Sequence, residues 1–226
     1  MARRTRSDPG REYYRQLVKE ILGGESDAYE WLRARGIRNW TISQWKLGVV
    51  RDPVKGHERF EGSVSIPYRD ALGHERGVRF RRIDGRRPKY DGVFRGTAHL
   101  FGVKFSNEPI VYLTEGEFDC LILHQMGFKS VGVPGASVWR EEWKWLFRSA
   151  DEIVIVPDAD GDETKEVKKG RPMTMATGGA LFRTKIMGSL RDSPALVRVV
   201  NLPRGHDINS LYLKDRKLLR SLLEGR

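Results

Sequence analysis

Apolar residues in the first quarter of the chain recur at helical spacing. "REYYRQLVKEILG" reads as a short helix closed by Gly23-Gly24, behind a basic, polar arm, "MARRTRSDPGR". Ser26 is placed to cap a second helix, "DAYEWLRARG", which ends at Gly36. "TISQWKLG" reads as a third, with Thr41 as its cap and Gly48 behind it. From about Glu61 the period shortens to two. "GSVSIPYRD" and "HERGVRFRRID" alternate around a turn near Leu72-Gly73, as paired strands do. After "SNEP" the rhythm changes again. "IVYL", "SVGVP", "EIVIVP" and "ALVRVVNLP" read as strands. "FDCLILHQMG", "REEWKWLFRSA", "GGALFRTKIMGSL" and "INSLYLKDRKLLRSLLEG" read as the helices that follow them. Such alternation predicts a mostly parallel sheet flanked by helices, whose central strands are Val/Ile/Leu runs because both faces are covered. The polar stretch "DGDETKEVKKGRPMTMATGG" interrupts the pattern as a long loop after the third strand.

Three segments are expected from these changes of period. Residues 1–24 form a basic arm and short helix, 25–107 a smaller basic α+β subdomain, and 108–226 an α/β domain. At 226 residues the chain is long enough for a real hydrophobic core. No apolar run reaches the length of a membrane span, and the N-terminus has no signal-peptide pattern. A single cysteine, Cys120, excludes a disulfide within the chain and any multi-cysteine zinc site built from it alone. Cys120 sits within an apolar helical pattern and reads as structural. A cytoplasmic location is the default expectation for such a chain.

Charge adds a partner class. The chain carries 41 Lys/Arg against 30 Asp/Glu, a net charge of +11, which points to a polyanion, nucleic acid first. The excess is uneven. Residues 76–95 hold eight basic side chains: Arg76, Arg79, Arg81, Arg82, Arg86, Arg87, Lys89 and Arg95. In a strand, Arg79 and Arg81 share one face. The aromatic triad Trp139, Trp143 and Trp145 reads as packing.

Acids gather at two places that the pattern puts at the carboxyl ends of strands, where open parallel sheets bind ligands. Glu115 follows "IVYLT". Asp158 and Asp160 follow "IVIVP", in "PDADGD". If the two strands are neighbours, these carboxylates converge. Three oxygen ligands suit a hard cation, Mg²⁺ or Mn²⁺, in the kind of site that serves phosphoryl chemistry. Gly116 and Gly161 beside the acids suit either close backbone approach to a ligand or a turn. Asp119, four residues past Glu115, either caps its helix or reaches the metal. Glu117 reads as solvent-facing or as a support for the metal ligands.

The pairing of "EGEFD" (115–119) with "DADG" (158–161) in alternating α/β resembles the Toprim domain shared by primases, topoisomerases and certain nucleases. Four ordered stretches narrow the resemblance to DnaG-type DNA primase catalytic cores. They are "WLRARGIRNWTISQWKLGVV", "GSVSIPYRDALGHERGVRFRRIDGRRPKY", "HLFGVKF" and "NLPRGHDINSLYLK". The resemblance implies a Toprim domain preceded by a basic primase subdomain, in a minimal, phage- or plasmid-like form. It implies template-directed synthesis of short RNA primers from NTPs on single-stranded DNA, with two Mg²⁺ or Mn²⁺ ions and no zinc. Glu115, Asp158 and Asp160 would be the catalytic metal ligands, with Asp119 and Asp207 as further candidates. Lys89 would act on nucleotide phosphate, and Arg69, Arg79, Arg81, Tyr90 and Asn209 would contact nucleotide or nucleic acid. Asn209 stands where bacterial members often carry Asp. A separate helicase or zinc-bearing partner would choose the priming site. The rival readings are a Toprim nuclease using the same carboxylates and a non-catalytic nucleic-acid-binding Toprim protein.

Overall fold

The computed structural model describes residues 8–94, 96, 99–159 and 178–225. The chain forms two compact units, Met1–His99 and Leu100–Arg226. The division precedes the expected boundary at 107/108. The cause is local: Phe101 and Gly132 exchange two backbone hydrogen bonds of 2.9 Å, which ties "LFG" into the second unit.

The first unit is built on an antiparallel sheet of β1 (Gly48–Val49), β2 (Val64–Arg69), β3 (Glu75–Arg81) and β4 (Tyr90–Phe94), in that order. Its helices are α1 (Pro9–Gly23), α2 (Asp27–Ala34) and α3 (Asn39–Trp45). Helix α1 is no appendage. Tyr13 joins Val50, Phe60, Val78 and Phe80 in one buried cluster, and Leu17 is fully buried as well. The expected 1–24 segment therefore divides, and its helix belongs to the core of this unit. Asp8 caps α1 by accepting the Arg11 amide at 2.9 Å, and Pro9 stands in the first turn where its missing N–H costs nothing.

Ser26 caps α2 as expected, accepting the Tyr29 amide at 3.1 Å. Thr41 does not cap α3. The helix starts two residues earlier, with Arg38 at the cap position, and Thr41 is buried within it. Nor does Gly48 end α3. Lys46 takes the left-handed position at φ 55°, a conformation that costs a non-glycine residue about 1 kcal/mol. Its ammonium lies 4.4 Å from the Tyr14 ring centroid, a contact that offsets part of that cost. Gly48 instead lies in β1, where a Cβ would strike the backbone of Tyr13.

The second unit contains the parallel sheet: β5 (Ile110–Thr114), β6 (Ser130–Gly132), β7 (Glu152–Val156) and β8 (Leu196–Val199), in spatial order β6-β5-β7-β8. Among the described residues four α-helices accompany it: α4 (Glu117–Gln125), α5 (Gly178–Ser189), α6 (Ile208–Lys214) and α7 (Arg216–Glu224). In β5, Val111–Thr114 are all buried, and in β7 so are Ile153–Val156, as central strands covered on both faces require.

Two expected helices differ. The stretch after β6 is a 3₁₀ helix, Glu141–Phe147, held by an i,i+3 pair of Lys144 and Glu141 at 2.7 Å. Trp139 and Trp143 pack edge to face there with centroids 5.8 Å apart, while Trp145 is exposed. The long C-terminal helix is two helices. Asp215 ends α6 and caps α7, accepting the Leu218 amide at 2.9 Å. Cys120 is fully buried, and burial pushes its thiol up to about 12, so its structural reading stands. Among the described residues no helix is long and apolar enough to cross a membrane.

Candidate active site

Strand order decides whether the two acidic clusters meet. β5 and β7 are direct parallel neighbours, with Thr114 paired to Val156. Their carboxyl ends therefore deliver Glu115 and Asp158 to one place. The Glu115 carboxylate accepts the backbone N–H of Asp158 at 2.9 Å through Oε1. One oxygen of a charged side chain is thus held by a neighbouring strand end. Gly116, between β5 and α4, is extended rather than left-handed, and a Cβ there would meet only Asp119 Oδ2, at 4.0 Å. Its value is open space beside Glu115.

The Asp158–Ala159 segment is clasped from other directions. Ala159 donates its N–H to the His206 carbonyl at 2.9 Å and accepts the Gly205 N–H at 2.6 Å. The glycine-containing turn of "LPRGHD" is the clasp. On another side, the first turn of α5 presses on Asp158 so closely that a Cβ on Gly179 would overlap the Asp158 carbonyl. Gly179 was not singled out from sequence, although "GG" at a helix start was its visible signal.

Asp207 is the N-cap of α6. It accepts the Ser210 amide at 2.6 Å, while Ser210 Oγ accepts the Asp207 N–H at 3.1 Å, a reciprocal capping box. Asp119 resolves in an unexpected way. Its Oδ1 reaches another element and accepts the backbone N–H of Asn209 at 3.0 Å, in the first turn of α6. Asn209 is itself buried. The acidic helix α4 and the clasp are therefore joined by a carboxylate-to-helix-terminus bond. Glu117 is only 1% exposed, which corrects its solvent-facing reading; most residues of α4 are buried, and Glu117 with them. Among the described residues no three His, Cys, Asp or Glu side chains gather closely enough to hold a metal ion. Asp160, the third expected ligand, lies outside the described residues, as do residues 161–177 and Arg95.

The basic residues form a second cluster, within the first unit. Val78 and Phe80 of β3 point into the core, so Arg79 and Arg81 share the opposite face, as the alternation predicts. Arg81 pairs across β4 with Tyr90, and both guanidiniums lie over the Tyr90 ring, Arg79 at 4.5 Å and Arg81 at 4.7 Å from its centroid. Lys89 is exposed at the end of the connection leading into β4. Arg69 is placed differently, at the far end of β2 from the residues that pair with Arg79 and Arg81. It donates to the Gly73 carbonyl at 3.1 Å and lies 3.8 Å from Asp8. In that place Arg69 braces the β2–β3 turn against the start of α1.

Beside Arg69 is a group that sequence reading missed. Glu75 Oε2 accepts the Gly10 N–H at 3.1 Å, and the Glu75 carboxyl hydrogen-bonds Asp8. Burial first, then the bond to Asp8 and its charge, push Glu75 up to about 9. At Asp8 burial acts upward too, but the bond from Glu75, the Arg11 amide and Arg69 together hold it below the usual carboxylate range. The shared proton therefore sits on Glu75.

A parallel sheet with Glu115 and Asp158 at adjoining strand ends, in a chain with a separate antiparallel unit bearing arginines, is an α/β architecture. More narrowly, the fold is that of the DnaG-type primase catalytic core. The chain superposes on the zinc-binding and RNA polymerase domains of Aquifex aeolicus primase with a TM-score of 0.72 at 21% identity, covering 100% of this chain and 63% of that one. A DnaG primase catalytic domain solved bound to single-stranded DNA gives a TM-score of 0.67 at 18% identity, covering 96% of this chain and 82% of that one. In sequence the chain is 26% identical over 234 residues to a DNA primase of Clostridium acetobutylicum, covering 87% of this chain but 37% of that protein. It is 27% identical over 166 residues to the gene 57 protein of Mycobacterium phage D29, covering 70% of this chain and 95% of that one. The chain thus spans well under half of the curated bacterial primase and nearly all of the phage protein. No protein-family model matches.

Proposed function

We propose that this chain is the nucleotide-joining core of a DNA primase, making short RNA primers from NTPs on single-stranded DNA. The observation that carries the reading is the convergence of Glu115 and Asp158 at the ends of β5 and β7, bonded at 2.9 Å, within the DnaG core fold. The donor set is all oxygen and fits a hard divalent cation, Mg²⁺ or Mn²⁺. Glu115 and Asp158 would hold it, with Asp160 as the further ligand. Asp119 and Asp207 belong to the supporting structure, because each already caps α6. When bound, the cations supply Lewis-acid charge against the triphosphate and the primer hydroxyl.

The chain's own residues do the rest. The Asp158 amide fixes one oxygen of Glu115, so that carboxylate is held before any substrate arrives. The Gly205–His206 turn and Gly179 hold the strap that carries Asp158. Arg79, Arg81 and Lys89 supply positive charge for phosphates, and Tyr90 orients the two arginines. Such contacts position a strand without reading its sequence.

The test uses the full chain, a single-stranded DNA template, labelled NTPs and Mg²⁺ or Mn²⁺. Short RNA products are expected, and Asp158→Ala should remove them at unchanged thermal stability. Template cleavage without NTPs, and no RNA, would replace this reading with a nuclease. Template binding with neither reaction would leave a binding protein.

A further inference from the structure

The arginines of the basic face are not set by β3 alone. On α2, Trp31 stands beside them. Its ring has Arg35 over it at 4.4 Å and Arg81 at 5.6 Å from the centroid. Arg81 in turn lies over Tyr90, and so does Arg79. The five side chains make one continuous series, Arg35, Trp31, Arg81, Tyr90, Arg79, that runs from α2 across β3 and β4. All five are half-buried, so each keeps a part open to solvent.

Three like charges in a row repel one another. Left to themselves, long arginine side chains would spread into solvent. Each aromatic ring in the series offers its negative face to two guanidiniums, so it attracts both neighbours and separates them. A guanidinium set against a ring keeps the planar fork of donors that matches phosphate oxygens. The spacing of Trp31 and Arg35, one helical turn apart, is what puts Arg35 in the series.

We propose that Trp31 is a positioning residue for nucleic-acid binding. It holds Arg35 and Arg81 as two members of a preformed row of three guanidiniums that receives successive phosphates of a single strand. The proposal rests on the primase reading for its ligand. It adds Trp31, on α2, and Arg35, the residue that follows α2, to the residues that bind.

The experiment has two readouts. The first needs no nucleic acid: in the unsubstituted chain the Arg81 side-chain proton resonances should be ring-shifted, and Trp31→Leu should move them toward ordinary values. The second is binding of a labelled oligo-dT strand at fixed salt. Trp31→Leu should weaken it about three- to tenfold, the range expected when a partly exposed cation–π support is lost. Trp31→Tyr, which keeps a ring, should bind within about twofold of the unsubstituted chain. The double variant Trp31→Leu/Arg81→Gln should lose less than the product of the two single losses, because the two residues act together.

Unshifted Arg81 resonances overturn the series itself. Shifted resonances with unchanged binding in Trp31→Leu, or losses that simply multiply, overturn the positioning role and leave the primase reading standing. No binding by the unsubstituted chain overturns both. Thermal melts of each variant separate a folding defect from a binding one: Trp31→Tyr failing to bind while fully folded would also sink the proposal.

Discussion

Glu75 shows how far one side chain's chemistry can depart from its sequence context. Alone in "HERGV" it is an ordinary exposed acid at the start of a strand. In the fold it shares a proton with Asp8 beneath the first turn of α1, and it titrates at about 9 instead of 4.5. A folded-state value above the unfolded one means that the native chain holds the proton longer. The stabilisation from the Glu75 proton is complete below pH 4.5 and is lost as the pH rises through about 9, whereas the share from Asp8, whose carboxyl is held below the usual range, is lost as the pH falls. Glu75→Gln keeps a donor for Asp8 and an acceptor for Gly10 but cannot titrate. Thermal melts at pH 6 and pH 9 should therefore differ less in this variant than in the unsubstituted chain; an equal difference would mean that the proton is not on Glu75. Neither residue could be paired from sequence, since Asp8 and Glu75 are far apart along the chain and only the docking of α1 on the β2–β3 hairpin joins them.

Among the elements, helix termini and close approaches decide how the acids are held. Asp119 was legible as a residue of interest, but its spacing from Glu115 left a cap and a metal ligand equally open. The tertiary bond to the Asn209 amide supplies a third answer, a cap for α6. Asp119→Ala should cost about 1 kcal/mol of stability, as lost helix caps do. Asp119→Asn keeps an acceptor oxygen and should cost less. Primer synthesis that vanishes in the Asn variant at full stability would show that the charge itself is needed for the proposed activity. Gly179 makes a different prediction. A Cβ there meets backbone, the Asp158 carbonyl, which cannot rotate away. Gly179→Ala should destabilise by about 1–3 kcal/mol, the usual cost of overpacking, and should reduce synthesis by displacing Asp158. Chemical denaturation and the primer assay check the two effects. A fully stable, fully active variant would show that α5 has room to shift. Helix α3 and the C-terminal helix pair record the limits of local signals: Thr41 resembles a cap but is buried, and Asp215 breaks a helical pattern because its own side chain caps the next helix.

For the whole molecule, the excess of 41 basic over 30 acidic side chains is the property that matters to a polyanion. Binding of single-stranded DNA should weaken steeply with salt. If three phosphates are neutralised, raising salt from 50 to 200 mM should lower affinity about twentyfold, from a slope of roughly 0.7 per phosphate for single strands. Fluorescence anisotropy over that range measures it. A flat salt response would mean that the charge serves only solubility. The rise and fall of hydrophobic period along the chain foretold the architecture, an antiparallel basic unit followed by a parallel sheet. It misplaced the division between them, because the pairing of Phe101 with Gly132 carries "LFG" into the second unit.

Sequence alone determined what depends on neighbours along the chain. That covers the strand and helix alternation, the caps at Ser26 and Glu115's place at a strand end, the shared face of Arg79 and Arg81, and the structural role of Cys120. These follow from local period and residue chemistry. Tertiary structure alone decided what depends on elements distant in sequence. It made β5 and β7 neighbours, so that Glu115 meets Asp158. It set Asp119 against α6, drew Arg69 into the Asp8–Glu75 group, and brought Trp31 over Arg81. No periodicity encodes such meetings. They arise because burying the apolar faces of whole elements fixes their order and contacts, and the polar side chains take the positions that this packing leaves them.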